Sequence, residues 1–205
     1  MQWTEKYRPK CLNDIVGQDE AIKAIRGYMN NGGLPNLLFH GPPGTGKTTL
    51  AHAIVSEVLG VASSQNFTEI NGSDDRTNFI WNLCVNAVRY MPFDPSKPKI
   101  ILIDEADGLC PSTQEAIRKP IENRGRTVFI FTANNYKEFN EAVISRMTEF
   151  KLGPLANDVI ELRLKRILKT EKKRLPKGLC REIAVAANGD IRHAINELQK
   201  AAMMI

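Results

Sequence analysis

Gly41-Pro42-Pro43-Gly44-Thr45-Gly46-Lys47-Thr48 fits the phosphate-loop pattern G-x-x-x-x-G-K-[ST], and its flanks decide the fold. Asn36-Leu37-Leu38-Phe39-His40 before it reads as a short buried strand, and Thr49-Leu50-Ala51-His52-Ala53-Ile54-Val55 after it as the first turns of a helix. In that setting the glycines turn backbone N–H groups inward around a polyphosphate, and the helix N-terminus adds partial positive charge. The pattern predicts a nucleoside triphosphate with Mg²⁺, cradled by Pro43, Gly44, Thr45, Gly46 and Thr49. Lys47 reaches the β- and γ-phosphates, and the Thr48 hydroxyl ligates the metal.

A second stretch turns binding toward hydrolysis. Lys99-Ile100-Ile101-Leu102-Ile103-Asp104-Glu105 is an apolar run ending in two carboxylates, as expected of a strand buried in a parallel sheet. Two acids at a strand end are unremarkable alone; downstream of a phosphate loop, Asp104 is expected to hold Mg²⁺ through water and Glu105 to act as general base. Asp104-Glu105-Ala106-Asp107 also spells a helicase signature, but too little sequence follows for a second helicase core.

Composition agrees. The 205 residues suffice for one α/β domain plus a small satellite, and the net charge of +5 permits nucleic-acid binding without demanding it. No apolar run approaches the roughly 20 residues of a membrane span, and no apolar signal core opens the sequence. Cys11, Cys84, Cys110 and Cys180 are widely spaced, which disfavours zinc and disulfides and points to reduced thiols in a cytoplasmic or nuclear setting. His40, His52 and His193 have no metal-ligand spacing.

From Asn36 to Phe150 apolar runs alternate with helical patterns, the mark of a doubly wound parallel sheet. Expected strands are Leu37–Phe39, Phe67–Ile70, Ile100–Ile103, Thr127–Thr132 and Thr148–Lys151, preceded by a helix over Glu20–Asn30. Gly153-Pro154 breaks the pattern, and helices are expected over Asn157–Thr170, Lys177–Ala187 and Asp190–Met203, the last N-capped by Asp190. The expected organisation is an α/β nucleotide domain over 1–152 and a helical lid over 153–205. The basic stretch from Arg163 to Lys169, continued by Lys172-Lys173-Arg174, reads as a solvated helix face.

Trp3-Thr4-Glu5-Lys6-Tyr7-Arg8-Pro9 followed by Ile15-Val16-Gly17-Gln18 resembles the N-terminal signature of replication factor C small subunits, clamp loaders within the AAA+ ATPases. The resemblance runs from Trp3 to about Gln199. It implies that Tyr7, Arg8, Pro9, Ile15 and Val16 line the adenine pocket. Thr132-Ala133-Asn134-Asn135 falls where the family places a water-orienting "sensor 1", with Asn134 favoured over Asn135. Ser145-Arg146-Met147 is similar to the family's Ser-Arg-Cys motif, implying that Arg146 is an arginine finger for a neighbouring subunit's ATP. Gly189-Asp190-Ile191-Arg192 resembles "sensor 2", which implies γ-phosphate contact by Arg192 in cis.

Asn71-Gly72-Ser73-Asp74-Asp75-Arg76 is similar to the run before the family's DNA-tracking helix, so Ser73, Arg76, Thr77 and Asn78 are candidates for phosphate contact; an ordinary N-capped helix fits nearly as well. Gln114-Glu115-Ala116-Ile117-Arg118-Lys119 resembles a helix linking DNA to the catalytic glutamate, but Pro120 replaces the usual threonine and is expected to kink or end it. The implied partners are a ring-shaped sliding clamp, primer-template DNA and other loader subunits in a pentameric spiral, with no membrane. A helical collar usually follows the lid in this family; here the sequence stops at Ile205, as a truncation or a reduced version. Alternatives are another AAA+ DNA remodeller, of branch-migration or recombination type, and a scaffold subunit that hydrolyses little.

Overall fold

The computed structural model describes residues 1–60, 64–73 and 77–204. Five strands, β1 (Leu37–His40), β2 (Phe67–Asn71), β3 (Lys99–Asp104), β4 (Thr127–Ala133) and β5 (Thr148–Lys151), form one parallel sheet in the order β2-β3-β4-β1-β5. Around it lie α1 (Trp3–Lys6), α2 (Asp19–Asn30), α3 (Lys47–Leu59), α4 (Thr77–Arg89), α5 (Pro111–Glu122) and α6 (Glu141–Ile144). After β5 come α7 (Asn157–Glu171), α8 (Leu179–Ala186) and α9 (Ile191–Met203). Each expected strand is present, most of them extended by a residue into the polar position that ends the run. Among the described residues no helix is long and apolar enough to cross a membrane.

β1 and β4 are buried along their whole length, because helices cover both faces of the sheet, and polar residues enter them only at the ends, as His40, Thr127 and Thr132. Alternation sorts the side chains into two layers. Leu37, Phe39, Ile100, Leu102 and Ile130 pack with Ile25, Leu50 and Ile54 on one face. Leu38, Ile101, Ile103, Phe129 and Phe131 pack with Ile80, Ile117 and Ile121 on the other. A third cluster joins Ile160, Leu164, Ile183, Ala194 and Leu198 of α7–α9. Trp3 belongs to that cluster, so the first turn of the chain packs on the three-helix unit.

α5 does not end at Pro120 but continues to Glu122, contrary to a stop at that residue. Pro120 lies in the last turn, where its missing N–H forfeits a single helical hydrogen bond, and its ring is buried. The carboxyl ends of β1, β3 and β4 converge on one edge of the sheet, where open α/β folds bind ligands.

Candidate active site

The phosphate loop leaves β1 at this edge and enters α3 at Lys47. Gly44 touches the start of α9 so closely that a Cβ there would lie 2.0 Å from Asp190 Oδ1. Asp190 itself caps α9, accepting from His193 N at 2.9 Å. Lys47 is buried, and its Nζ donates to Gly41 O (2.8 Å), Pro42 O (2.8 Å) and Asn134 Oδ1 (2.9 Å). Burial pushes the ammonium's pKa below its ordinary value, against the pull of Asp107 and Asp104. All three acceptors are neutral oxygens, so the positive charge is not neutralised by contact and phosphate oxygens fit it.

Asp104 Oδ1 accepts from Thr48 Oγ1 at 2.8 Å and from Thr132 Oγ1 at 2.5 Å. The Thr48 hydroxyl and Asp104 carboxylate are hard oxygen donors side by side, the chemistry Mg²⁺ prefers. Thr132, not anticipated from sequence, also accepts from Glu105 N at 3.1 Å and so ties both acids to β4. The only signal for it was a polar residue closing an otherwise apolar strand.

Glu105 has left-handed backbone (φ 51°), a cost for any residue with a Cβ, and its side chain is exposed. Gly72 permits this, because a Cβ at residue 72 would lie 2.6 Å from Glu105 O. Ser73 Oγ donates to Glu105 Oε2 at 3.3 Å. Of the two asparagines after β4, Asn134 faces Lys47, whereas Asn135 caps the following turn by accepting from Lys137 N at 3.3 Å. Asp107 Oδ2 fixes both, accepting from Asn134 N at 2.9 Å and Asn135 N at 3.1 Å.

Pro43, Gly44, Lys47, Thr48, Asp104, Glu105 and Asn134 line one cavity, of about 630 Å³, with Arg192 at its rim. Beside it, Tyr7, Arg8, Pro9, Ile15 and Val16 line a second, of about 660 Å³, together with Thr45, Gly46 and Thr49. Leu155, Arg163, Ile191 and Ile195 of the three-helix unit form the far wall. Gly46, Thr49, Ile191 and Arg192 border both, so the cavities adjoin, apolar at one end and polar at the other. Arg163 corrects the reading of its stretch as a solvated face. Lys165, Arg166 and Lys169 are exposed, but Arg163 turns inward, is half-buried, and donates to Tyr7 O at 2.6 Å.

Arg146 is not part of this assembly. It precedes β5, whose first residue pairs with the first residue of β1, so Arg146 and the phosphate loop lie at opposite ends of the sheet. Four strand residues, about 13 Å, separate those ends. Buried Asn36 holds the segment in place, donating from Nδ2 to Ile121 O at 3.2 Å and to Arg146 O at 3.4 Å. Gln114, also buried, donates from Nε2 to Leu109 O (3.0 Å) and Glu138 O (3.2 Å) and accepts from Asn140 N (2.7 Å), tying α5 to the turn that leads to α6. Ser73 lies beside Glu105, Thr77 and Asn78 open α4, and Arg76 falls outside the described residues.

Curated relatives match this chain along almost its whole length. The replication factor C small subunit of Methanocella arvoryzae is 39% identical over 98% of this chain and 63% of its own. That of Picrophilus torridus is 38% identical over 96% of this chain and 63% of its own. Replication factor C subunit 3 of Saccharomyces cerevisiae is 36% identical over 97% of this chain and 59% of its own. These relatives bear out the resemblance drawn from the N-terminal signature, and this chain spans about 59–63% of their length. Among solved structures, the Thermotoga maritima RuvB Holliday junction branch migration motor superposes with a TM-score of 0.76 over 94% of this chain and 64% of its own, at 22% identity, which speaks to the fold alone. Residues 37–155 match the model of the ATPase family associated with various cellular activities (AAA), and the chain belongs to that family.

Proposed function

We propose that this chain is the ATPase part of a clamp-loader small subunit, which hydrolyses ATP to open a ring-shaped sliding clamp and place it on primed DNA inside the cell. The observation that carries this reading is the similarity to replication factor C small subunits over 96–98% of the chain, with the intact site residues on the converging strand ends. The RuvB-like fold is shared too widely to favour a branch-migration motor.

In this reading the base and ribose sit between Tyr7-Arg8-Pro9, Ile15-Val16 and the loop, and the triphosphate lies along Pro43 to Thr49. Lys47 binds β- and γ-phosphate oxygens, exchanging its bond to Asn134 for them and freeing that carboxamide to orient the attacking water. Glu105 takes the water's proton. Thr48 and Asp104 would hold Mg²⁺, which supplies charge neutralisation on the phosphates. Residues 153–205, with the first turn of the chain packed on them, act as a lid on the α/β domain, and Arg192 carries the nucleotide state to it. Arg146, at the far end of the sheet, serves the site of a neighbouring subunit, so the active form is an oligomer, a pentameric spiral in our reading. Ser73, Arg76, Thr77 and Asn78 face the duplex.

Native mass spectrometry with and without ATP, Mg²⁺ and the candidate clamp tests the proposal, paired with fluorescence anisotropy of primed duplex. ATP-dependent assembly with clamp and duplex is expected. Absence of ATP-dependent duplex binding at low salt, with clamp and partner subunits present, would overturn it.

A further inference from the structure

The wall of the base cavity contributed by Tyr7, Arg8 and Pro9 is held from the lid side. Trp3 is buried in the lid's apolar cluster, and its backbone N–H donates to Gln199 Oε1 of α9 at 2.7 Å. Glu171, the last residue of α7, accepts from both Lys6 Nζ (2.6 Å) and Tyr7 Oη (2.7 Å). The Trp3 and Tyr7 rings meet edge to face with centroids 6.3 Å apart. From Leu12 onward the same segment is anchored to the α/β domain instead: Leu12 N donates to Glu57 Oε2 at 3.2 Å, and its side chain is in the sheet's core. Residues 8 to 11 therefore form a strap from lid to α/β domain, whose Arg8 and Pro9 line the base cavity.

Arg163 stands where the strap leaves the lid. Its guanidinium donates to Tyr7 O at 2.6 Å while its side chain lines the same cavity as Arg8 and Val16. The charge of Asp14 acts on it from a distance, but among the described residues no carboxylate lies within ion-pair reach of its guanidinium. Burial without an ion pair is costly, and the backbone carbonyl at the hinge of the strap is what that cost secures. We infer that Arg163 is a positioning residue that clamps the Tyr7-Arg8-Pro9 wall to the lid, so that seating a nucleobase and closing the lid are one equilibrium. This deepens the reading of the cavity as a nucleotide site and rests on it.

The test separates base from phosphate. The 205-residue protein carrying Trp81→Phe keeps Trp3 as the one remaining tryptophan of this sequence, which has two. ATP and inorganic tripolyphosphate, which has no base, are titrated into this protein and into its Arg163→Gln and Arg163→Lys derivatives. Losing a charged donor to a carbonyl should weaken ATP about tenfold in Arg163→Gln, chiefly by faster release, and leave tripolyphosphate within about twofold. Arg163→Lys keeps a charged donor and should recover most of the ATP affinity. ATP should shield Trp3 from acrylamide quenching in the parent and fail to do so in Arg163→Gln. Glu171→Gln, which loosens the strap's other tie at a surface ion pair without threatening the fold, should move ATP alone in the same direction by a smaller factor. Equal losses for ATP and tripolyphosphate, or unchanged ATP release in both Arg163→Gln and Glu171→Gln, would overturn the clamp while leaving the nucleotide site standing. A parent that binds neither ligand would overturn both.

Discussion

Arg146 Nη2 donates to Glu122 Oε2 at 3.1 Å, so the arginine at the far end of the sheet rests on the last turn of α5. Nη1 donates to Ala142 O at 2.6 Å, while Nε is buried with no partner among the described residues. Both ionised side chains are partly exposed, and such pairs are worth about 1 kcal/mol or less. The unpartnered Nε–H leaves part of the guanidinium's donor capacity unused. In the proposed oligomer, a phosphate oxygen of the neighbouring subunit would out-compete this resting place. Mixing Arg146→Ala with Lys47→Ala protein should therefore restore part of the ATPase activity, because some interfaces then pair an intact pocket with an intact finger. Wild-type specific activity that stays constant on dilution through the range of dissociation would show that no neighbour supplies the arginine.

Lys47 and Glu105 fail in different ways when changed. Lys47→Ala removes the buried ammonium and leaves Gly41 O, Pro42 O and Asn134 Oδ1 facing phosphate charge with no cation between them. ATP binding should be abolished. Glu105→Gln removes only the base from an exposed side chain, so ATP should still bind while turnover falls about 10²-fold or more. Equilibrium binding and single-turnover hydrolysis, measured on both variants, separate the two roles, and matching losses of affinity would merge them.

The sheet was legible because local signals coincided: apolar runs of strand length, a glycine loop between strand and helix, and an Asp190 cap at the start of α9. The resemblance favours Asn134 over Asn135 as the water-orienting residue, and Asn135 spends its side chain on the turn. What sequence could not reveal depends on contacts between distant segments. Trp3 looked like part of the α/β domain until its indole proved to be buried among α7–α9. Arg163 looked like its exposed neighbours because helical period says which face a residue is on, not what another segment lays over that face. Pro120 was read from its intrinsic cost, which is small in a final turn. Glu122 carried no signal, being an ordinary acid at a helix end until β5 brings Arg146 beside it.

His40 supplies a pH dependence. It ends β1 directly before the phosphate loop, is buried, and packs against Tyr136 with the rings tilted and centroids 4.4 Å apart. Burial pushes its pKa below the ordinary 6.5, Glu149 at 3.8 Å opposes this, and the charges of Lys151 and Lys47 add to the depression. The unfolded chain therefore takes up a proton near pH 6.5 that the folded chain refuses until lower pH. Stability from this group is fully present above that value and is lost as pH falls through the window beneath it. The melting temperature of the wild type should drop more between about pH 7.5 and 5.5 than that of His40→Gln, which cannot take up the proton. Parallel curves for the two proteins would remove His40 as the cause.

Ser73 Oγ donates to Glu105 Oε2 at 3.3 Å, and Ser73 opens the segment proposed to meet duplex phosphates. In the proposed mechanism this hydroxyl competes with the attacking water for the same carboxylate oxygen. If duplex phosphates engage Ser73 and the start of α4, that hydrogen bond is given up and Glu105 is released to the nucleotide. Ser73→Ala makes the same release without DNA. Losing one neutral hydrogen bond of about 1 kcal/mol should raise the DNA-free ATPase rate roughly fivefold, and primed duplex should then add little more. In the wild type the stimulation should fade steeply with salt, each neutralised phosphate contributing about 0.9 to the log–log slope. Continuous phosphate-release assays across a salt series, with and without duplex, measure both quantities on the two proteins. A DNA-free rate unchanged in Ser73→Ala, with full stimulation retained, would show that Glu105 is not restrained through this hydroxyl.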